Sequence, residues 1–493
     1  MSSTASQALR IWRNRGAEER ESRSYLVYVS FILVLVVVVP SLMLLWSILV
    51  SPVVMTALLS EKAPTVMSIV TVLSWSASLV LGRLRGPAVR APLLTSVFSA
   101  GPARRAAAFR GPVAGSIGIV VGFATFTAGI VSAAMWGTGH IALAAGAGFV
   151  VASLGVGLMA GTAWLLGQIF PRSSLPAAVL LAALGCASAA ATPGAPYLAW
   201  GWIAAAYPSE GSLVAGVALL VLAVMILGFA VSRMERLRRA DLEAQARRWD
   251  TAQVFAVTFD LESASAVYQS RPRLFRTIHA VRRVRSHIVR FFLRDALGAI
   301  RTPLRATTGA VSMIAAGVII GWGLTPTAFW GATVGVLVYL GTGPVSDGLR
   351  HAVAISADVP LYGISDRLLV ACHAVFPSVC ALLLVGAGSI ATAGGTVAGV
   401  QLISSVFATV MLSISVRFVT GLKGPMPIAL LSPLVTPVGD LGAITRLIWL
   451  FDGLILAALA GLLCVSGAWL MAGLEVVFVA FLMLRRWTRQ RPD

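Results

Sequence analysis

Long apolar runs separated by short polar stretches form the main pattern of the chain. A run of about 20 apolar residues is long enough to cross the hydrocarbon core of a membrane as a helix. The pattern predicts twelve spans, with Pro40 as a kink in the first, and that first run is too long for the apolar region of a signal peptide. The predicted spans lie at about residues 25–50, 63–82, 112–136, 141–168, 175–192, 212–232, 307–324, 327–342, 370–390, 396–420, 446–463 and 467–484.

Composition agrees with this pattern. Hydrophobic residues make up 58% of the 493 positions and charged residues 12%, whereas a soluble domain carries about 25% charge. The net charge of +19 could suggest a nucleic-acid partner, but the arginines flank apolar runs. We therefore expect an all-α polytopic membrane protein whose surroundings are the lipid bilayer, and no nucleic acid.

Basic residues mark one side of the predicted spans. The predicted outer loops hold little beyond Glu61 with Lys62 and Glu210, while arginines crowd the opposite side. Under the positive-inside rule both termini are expected in the cytoplasm, with the protein in the cell membrane. The predicted cytosolic segments are 1–24, 83–111, 233–306, 343–369 and 485–493.

The chain contains an internal repeat on this map. In each half a cytosolic segment that opens with Gly-Pro follows the second span: one runs from Arg85 to Pro112, the other from Gly343 to a closing Pro377. Four further spans follow each segment. Because both halves start from the cytoplasm, the pattern predicts two parallel six-helix halves, residues 25–232 and 307–484, rather than an inverted repeat.

A basic amphipathic stretch precedes the second half. Residues 271–306 place Phe275, Ile278 and further apolar residues at helical spacing, with arginines between them. Such a helix can lie in the membrane interface with its arginines toward lipid phosphates. A plain charged flank would explain the arginines but not the regular apolar face, so we expect an interfacial elbow helix.

Motifs for chemistry are missing from the sequence. The only lysines, Lys62 and Lys423, do not follow the glycine pattern of a phosphate-binding loop. No metalloprotease or serine-hydrolase motif occurs, and the five histidines and four cysteines are dispersed. We therefore expect neither an enzyme nor a bound metal or cofactor.

Two acids fall inside predicted spans. Asp452 lies near the inner end of the eleventh span and Glu475 nearer the centre of the twelfth. Burying a carboxylate in a membrane is expensive, so each is a candidate proton relay, although a structural partner would explain either one.

The phrase FFLRDALGAIRTP, residues 291–303, resembles the entry segment of ABC transporter permeases of the ABC-2 type, in which an aromatic-rich helix with Arg-Asp leads into Arg-x-Pro. Here Arg294 and Asp295 occupy the Arg-Asp positions. The whole layout is similar to fused two-half permease-like proteins of actinobacteria. It departs from them in two places: the outer loop before the last span is nearly absent in the second half, and residues 425–445, a proline-rich cytosolic or re-entrant segment, have no counterpart in the first.

The resemblance implies an exporter driven by a separate cytosolic ATPase dimer, which would bind ATP and Mg²⁺, with one coupling segment docked in each ATPase subunit. We expect Arg104 and Arg105 in the first segment, and Asp358, Asp366 and Arg367 in the second, to make this contact. Anchoring at lipid phosphates would explain the arginines equally well. The resemblance also allows a homodimer of the chain.

Two other classes of function fit the same layout. A proton-coupled secondary transporter would depend on Glu475 or Asp452. A non-transporting membrane scaffold would depend on neither acid nor on a motor.

Overall fold

We analysed a computed structural model of the chain, which divides into two compact units, one formed by residues 1–256 and 262–268 and the other by 257–261 and 269–493. The two units are described separately below. The structure describes residues 28, 30–31, 34–191, 198–257, 264, 267–268, 278, 284–321, 328–357, 363–393, 399–424, 426–427, 430, 435–436 and 439–489.

The described part of the first unit is built from helices joined by short loops. A short π-helical turn, Val34–Val38, leads into its first helix, and a 3₁₀ turn, Met234–Arg236, precedes its last. Its helices are α1 (Val39–Leu49), α2 (Pro52–Leu58), α3 (Ala63–Leu84), α4 (Pro92–Ala100), α5 (Arg105–Ala108), α6 (Arg110–Gly137), α7 (Leu143–Ile169), α8 (Ser174–Ala191), α9 (Ala199–Ala205), α10 (Leu213–Ser232) and α11 (Arg239–Val257).

The second unit is also built from helices. Two 3₁₀ turns, Gly343–Val345 and Ile355–Ala357, flank its fourth helix, and a two-residue antiparallel pairing joins β1 (Val435–Thr436) to β2 (Gly439–Asp440). Its helices are α12 (His287–Arg301), α13 (Pro303–Gly321), α14 (Ala328–Thr342), α15 (Asp347–Ala354), α16 (Asp366–Thr392), α17 (Gly399–Gly421), α18 (Leu441–Val465) and α19 (Trp469–Arg489).

Eight of the described helices are long and apolar enough to cross a membrane: α3, α6, α7, α10, α13, α16, α17 and α18. Each overlaps one of the predicted spans. Helices α1, α8 and α14 are apolar but shorter, and α19 carries arginines in its last turn. The protein is thus an all-α, multi-pass membrane protein.

Several boundaries differ from the predicted ones. Within the first predicted span, a π-helical turn runs directly into α1 before Pro40, and α1 ends at Leu49. Helix α18 begins at Leu441, inside the predicted loop 425–445. Helix α16 begins at Asp366, four residues before the predicted span, and continues through Pro377. Pro377 therefore does not close a cytosolic segment.

Helix α7 forms the centre of the first unit. It packs against α3, α6 and α10, and most of its residues are buried. Glycines allow the closest of these approaches: a Cβ on Gly167 would lie 2.1 Å from the Leu79 carbonyl oxygen, and a Cβ on Gly82 would lie 2.1 Å from the Trp164 carbonyl oxygen. The backbones of α3 and α7 can approach this closely only where side chains are absent.

Glycines also allow close approach of helix backbones in the second unit. A Cβ on Gly335 of α14 would lie 1.8 Å from the Ala457 carbonyl oxygen of α18, and a Cβ on Gly317 of α13 would lie 2.1 Å from the Val385 carbonyl oxygen of α16. These contacts bring α14 against α18 and α13 against α16.

Corresponding helices pack together in each unit. In the first, α3 packs on α7 and α8, and α7 packs on α6 and α10. In the second, α14 packs on α17 and α18, and α17 packs on α16 and α19. When the helices are numbered by the predicted spans of their half, the helix of the second span packs on those of the fourth and fifth spans in both units. The helix of the fourth span packs on those of the third and sixth spans.

Candidate coupling sites

Side-chain amides hold the first Gly-Pro segment. The Gly86 backbone N–H donates to Oε1 of Gln245 at 3.1 Å, and the Ala88 N–H donates to Oε1 of Gln168 at 3.0 Å. The two glutamines are themselves hydrogen bonded at 2.9 Å. A Cβ at Gly86 would lie 2.0 Å from the Gln168 side chain, so the segment needs glycine at this position.

Helix α11 covers this segment. The Arg85 guanidinium lies 3.2 Å from the centroid of the Trp249 ring of α11, and burial lowers the pKa of Arg85. Leu242 of α11 packs in the same apolar cluster as Ala88, and Ala246 of α11 is also buried. The sequence pattern gave only a basic connector here, because α11 is polar overall and its partners are distant in the chain.

Helix α4 follows the Gly-Pro turn. Its buried face carries Leu94 and Phe98, and Phe98 packs edge-to-face against Phe109 with ring centroids 6.5 Å apart. The opposite face exposes Leu93 and Val97, four residues apart. This second face is the part of α4 open to another molecule.

The predicted coupling arginines of this segment lie just beyond α4. Arg104 is exposed and forms the N-cap position of α5, where its carbonyl accepts hydrogen bonds from Ala107 and Ala108. Arg105 is half-buried. Arg104 is therefore the more accessible of the two.

The second Gly-Pro segment is held by an arginine. Nε of Arg417, on α17, donates to the Tyr339 carbonyl at 3.1 Å, and the guanidinium stacks 3.7 Å from the Tyr339 ring centroid. A Cβ at Gly343 would lie 3.0 Å from the same guanidinium. In the first unit, Trp164 of α7 likewise donates to the Arg85 carbonyl, at 2.6 Å.

The predicted elbow is a helix, α12, that packs on protein through Phe291 and Phe292 and leaves Ile288, Leu293 and Ile300 exposed. Phe291 is 6% exposed and packs 4.7 Å from the His373 ring, and Phe292 packs edge-to-face on Phe376 at 5.2 Å. Both partners belong to α16. Ile278 lies outside the helix, and its carbonyl accepts from Arg301 at 2.7 Å. Phe275, the other apolar residue assigned to the elbow, lies outside the described residues.

Asp295 and His373 are joined by a buried hydrogen bond. Oδ2 of Asp295 lies 2.6 Å from Nδ1 of His373, and the two side chains are 5% and 1% exposed. The same carboxylate lies against Gly348 of α15, where an added Cβ would come within 2.2 Å of Oδ1. Asp295 thus joins the elbow helix to the helix that follows the second Gly-Pro turn and to span helix α16.

Charged groups surround this joint. Arg305 pairs with Asp347 at 2.8 Å on a more exposed surface. Burial, together with the charges of Arg294 and His373, lowers the pKa of the exposed His351 on α15. Helix α15 therefore presents Asp347 and His351 to solvent, where α4 presents Leu93 and Val97.

Two of the three charged residues predicted to make the second coupling contact lie at the start of α16. Asp366 is in the first turn of α16, directly after Ser365, whose hydroxyl accepts from the Leu368 N–H at 3.4 Å. Arg367 is exposed. Asp358 lies outside the described residues.

Asp452 is part of a charge network. Its carboxylate lies 2.8 Å from Nζ of Lys423 and 2.8 Å from Nη2 of Arg486. Lys423 also lies over the Trp449 ring, and burial lowers its pKa although Asp452 acts in the opposite direction. This network ties α18 and α19 to the end of α17, so Asp452 has two structural partners.

Glu475 has a different environment. It is 7% exposed, and neither carboxylate oxygen makes a hydrogen bond within the described part of the chain. Across those same residues, no group of three or more His, Cys, Asp and Glu side chains is placed to hold a metal ion.

Comparison with known proteins gives no family for this chain: no protein-family model, no curated protein and no solved structure matches it. A functional assignment therefore depends on the arrangement of the residues described above.

Proposed function

We propose that this chain is the membrane-spanning permease subunit of an ABC exporter, located in the cell membrane with both termini in the cytoplasm and driven by a separate cytosolic ATPase dimer. The observation that carries the proposal is the paired arrangement of short helices. In each unit a Gly-Pro turn and then a short helix, α4 or α15, follow the helix of the second predicted span.

The contacts of these turns support a coupling role. In each unit a side chain of the fourth-span helix, Trp164 or Arg417, donates to a carbonyl at or near the end of the second-span helix. A force applied to the short helix would therefore reach the centre of its unit through rigid contacts. In the second unit the Asp295–His373 pair connects the same short helix to the elbow and to α16.

The two short helices offer different surfaces to a motor. Helix α4 would dock an apolar face, Leu93 and Val97, with Arg104 beside it, whereas α15 would dock Asp347 and His351. Rim charges of this kind set orientation and association rate more than affinity. We expect Asp358, Asp366 and Arg367 to supply part of this charge in the second segment.

The test is co-purification with the ATPase encoded by an adjacent gene, identified by its phosphate-binding loop. The permease should bind it and stimulate its ATP hydrolysis, and the double variant Asp358→Ala with Asp366→Ala should weaken binding by about tenfold. Glu210→Ala, an exposed acid in a predicted outer loop, is the matched control and should have no effect.

Two results would contradict the proposal. Intact binding and ATPase stimulation in the double variant would remove these acids from the coupling contact. Transport that does not require the ATPase, and that stops when the proton gradient is removed, would favour the secondary-transporter class instead.

A further inference from the structure

One narrow seam holds the last helix of the second unit to its neighbours. Of the 21 residues of α19, three are buried: Ala472, Glu475 and Val479. Their spacing of three and four residues puts them on one face of the helix. Ala472 and Val479 belong to the apolar cluster that includes Val416 and Cys464. A carboxyl group therefore sits in the middle of the seam.

The position of this carboxyl along α17 follows from two contacts. At one end Gly467 lies against the Gln401 side chain, and at the other Nη1 of Arg486 donates to the Val419 carbonyl at 2.8 Å. Helices α17 and α19 thus run parallel in a fixed register. This register places the Glu475 carboxyl level with residue 409.

Residue 409 is a threonine, and it shares with Ser413 of α17 a buried hydroxyl that makes no hydrogen bond to its own helix among the described residues. Hydroxyls elsewhere on α17, such as those of Ser415 and Thr420, donate back to carbonyls of their own helix. The Thr409 hydroxyl is fully buried and makes no such bond within the described part of the chain. It lies beside the Cys464 thiol of α18, which is near enough to Glu475 to interact with it electrostatically.

No cation neutralises Glu475 among the described residues that pack against it. On α17 the residue level with Glu475 is Thr409. The arginine of that helix, Arg417, lies two turns further on and is hydrogen bonded to the Tyr339 carbonyl. Helix α18 offers Cys464, while its Asp452 is already paired. On α19 itself, the arginines nearest to Glu475 lie about 15 Å further along the helix.

We propose that Glu475 is a proton-binding site: its carboxyl holds a proton while α19 is packed against α17 and α18, and loses it when the seam opens. An unpaired carboxylate in a dry apolar site is far more costly than a neutral carboxyl. On opening, the carboxyl O–H bond breaks and the proton passes to water. This role does not depend on whether ATP or a gradient drives the protein.

The direct test is infrared spectroscopy of the full chain in lipid vesicles. The absorption of a protonated carboxyl should be present in the unmodified protein and should be lost in Glu475→Gln, which keeps the shape and neutrality of the protonated side chain. Glu210→Gln, at an exposed glutamate, is the matched control and should retain the band. Equal bands in the unmodified protein and in Glu475→Gln would overturn the proposal.

A second measurement uses the pH dependence of unfolding. If the folded state holds a proton that the unfolded state releases, stability falls as pH rises. The unfolding midpoint of the unmodified protein should therefore drop, relative to Glu475→Gln, between about pH 5 and about pH 8. Parallel curves would overturn the proposal. So would a stabilisation by Na⁺ over K⁺ that Glu475→Gln abolishes, because the carboxylate would then be a metal-ion ligand.

Discussion

At the scale of single residues, the Asp295–His373 pair is the contact on which the elbow depends most. Both side chains are almost fully buried, so removing the carboxylate leaves Nδ1 of His373 without its partner in an apolar site. We expect Asp295→Asn to lower the free energy of unfolding by about 1.5–3 kcal/mol, the contribution of a hydrogen bond to a charged group. Chemical unfolding in detergent micelles measures this loss.

Two further variants test whether the loss of stability comes from the buried Asp295–His373 pair. Replacing both partners, Asp295→Leu with His373→Phe, should restore much of the lost stability, because an apolar pair of similar volume needs no hydrogen bond. Arg305→Ala, which breaks the more exposed pair with Asp347, should cost at most about 1 kcal/mol. A loss in Asp295→Asn no larger than that control would rule out the buried pair as a structural joint.

A second residue-scale prediction concerns Gly348. An added Cβ would come within 2.2 Å of the Asp295 carboxylate, so Gly348→Ala should displace the carboxylate and lower the unfolding midpoint. Gly298, on α12, has open space at its Cβ position. Gly298→Ala should instead be neutral or stabilise the helix by up to about 1 kcal/mol. Equal effects of the two substitutions would contradict the close approach of α12 and α15.

At the scale of elements, α11 acts as a clamp on the first Gly-Pro segment. Gln245→Ala would leave the Gly86 N–H without its partner, a change that costs about 1–3 kcal/mol in a buried site. We expect faster amide hydrogen exchange across residues 86–100 in this variant, measured by mass spectrometry. Gln253→Ala, an exposed glutamine on the same helix, should leave exchange unchanged.

The sequence predicted elements better than contacts. Apolar runs located the eight long span helices, because a span must be apolar whatever its neighbours are. Ser365 before Asp366 is an N-cap signal that could have placed the start of α16 correctly. Pro377 suggested an end because it cannot donate a helical hydrogen bond, yet one lost bond does not stop a packed helix.

The contacts of the candidate sites had no such signal. Asp295 and His373 are 78 positions apart, and Gly86 and Gln245 are 159 apart. Their pairing depends on how α12 and α11 fold back onto other helices, which local periodicity does not encode. The same holds for the two predicted intramembrane acids, since only packing separates a paired Asp452 from an unpaired Glu475.

At the scale of the whole molecule, the charge pattern predicts one topology that labelling can test. In a background without the four native cysteines, single cysteines at Glu61 and Glu210 should react with a membrane-impermeant maleimide in intact cells. Cysteines at Arg104 and Arg172 should react only after the membrane is permeabilised. All four positions lie in segments between helices, so their exposure to water is comparable. A difference in labelling between the two pairs would therefore report on which side of the membrane each position lies. Labelling of Arg104→Cys from outside would place α4 on the wrong side for a cytosolic motor and would remove the basis of the coupling proposal.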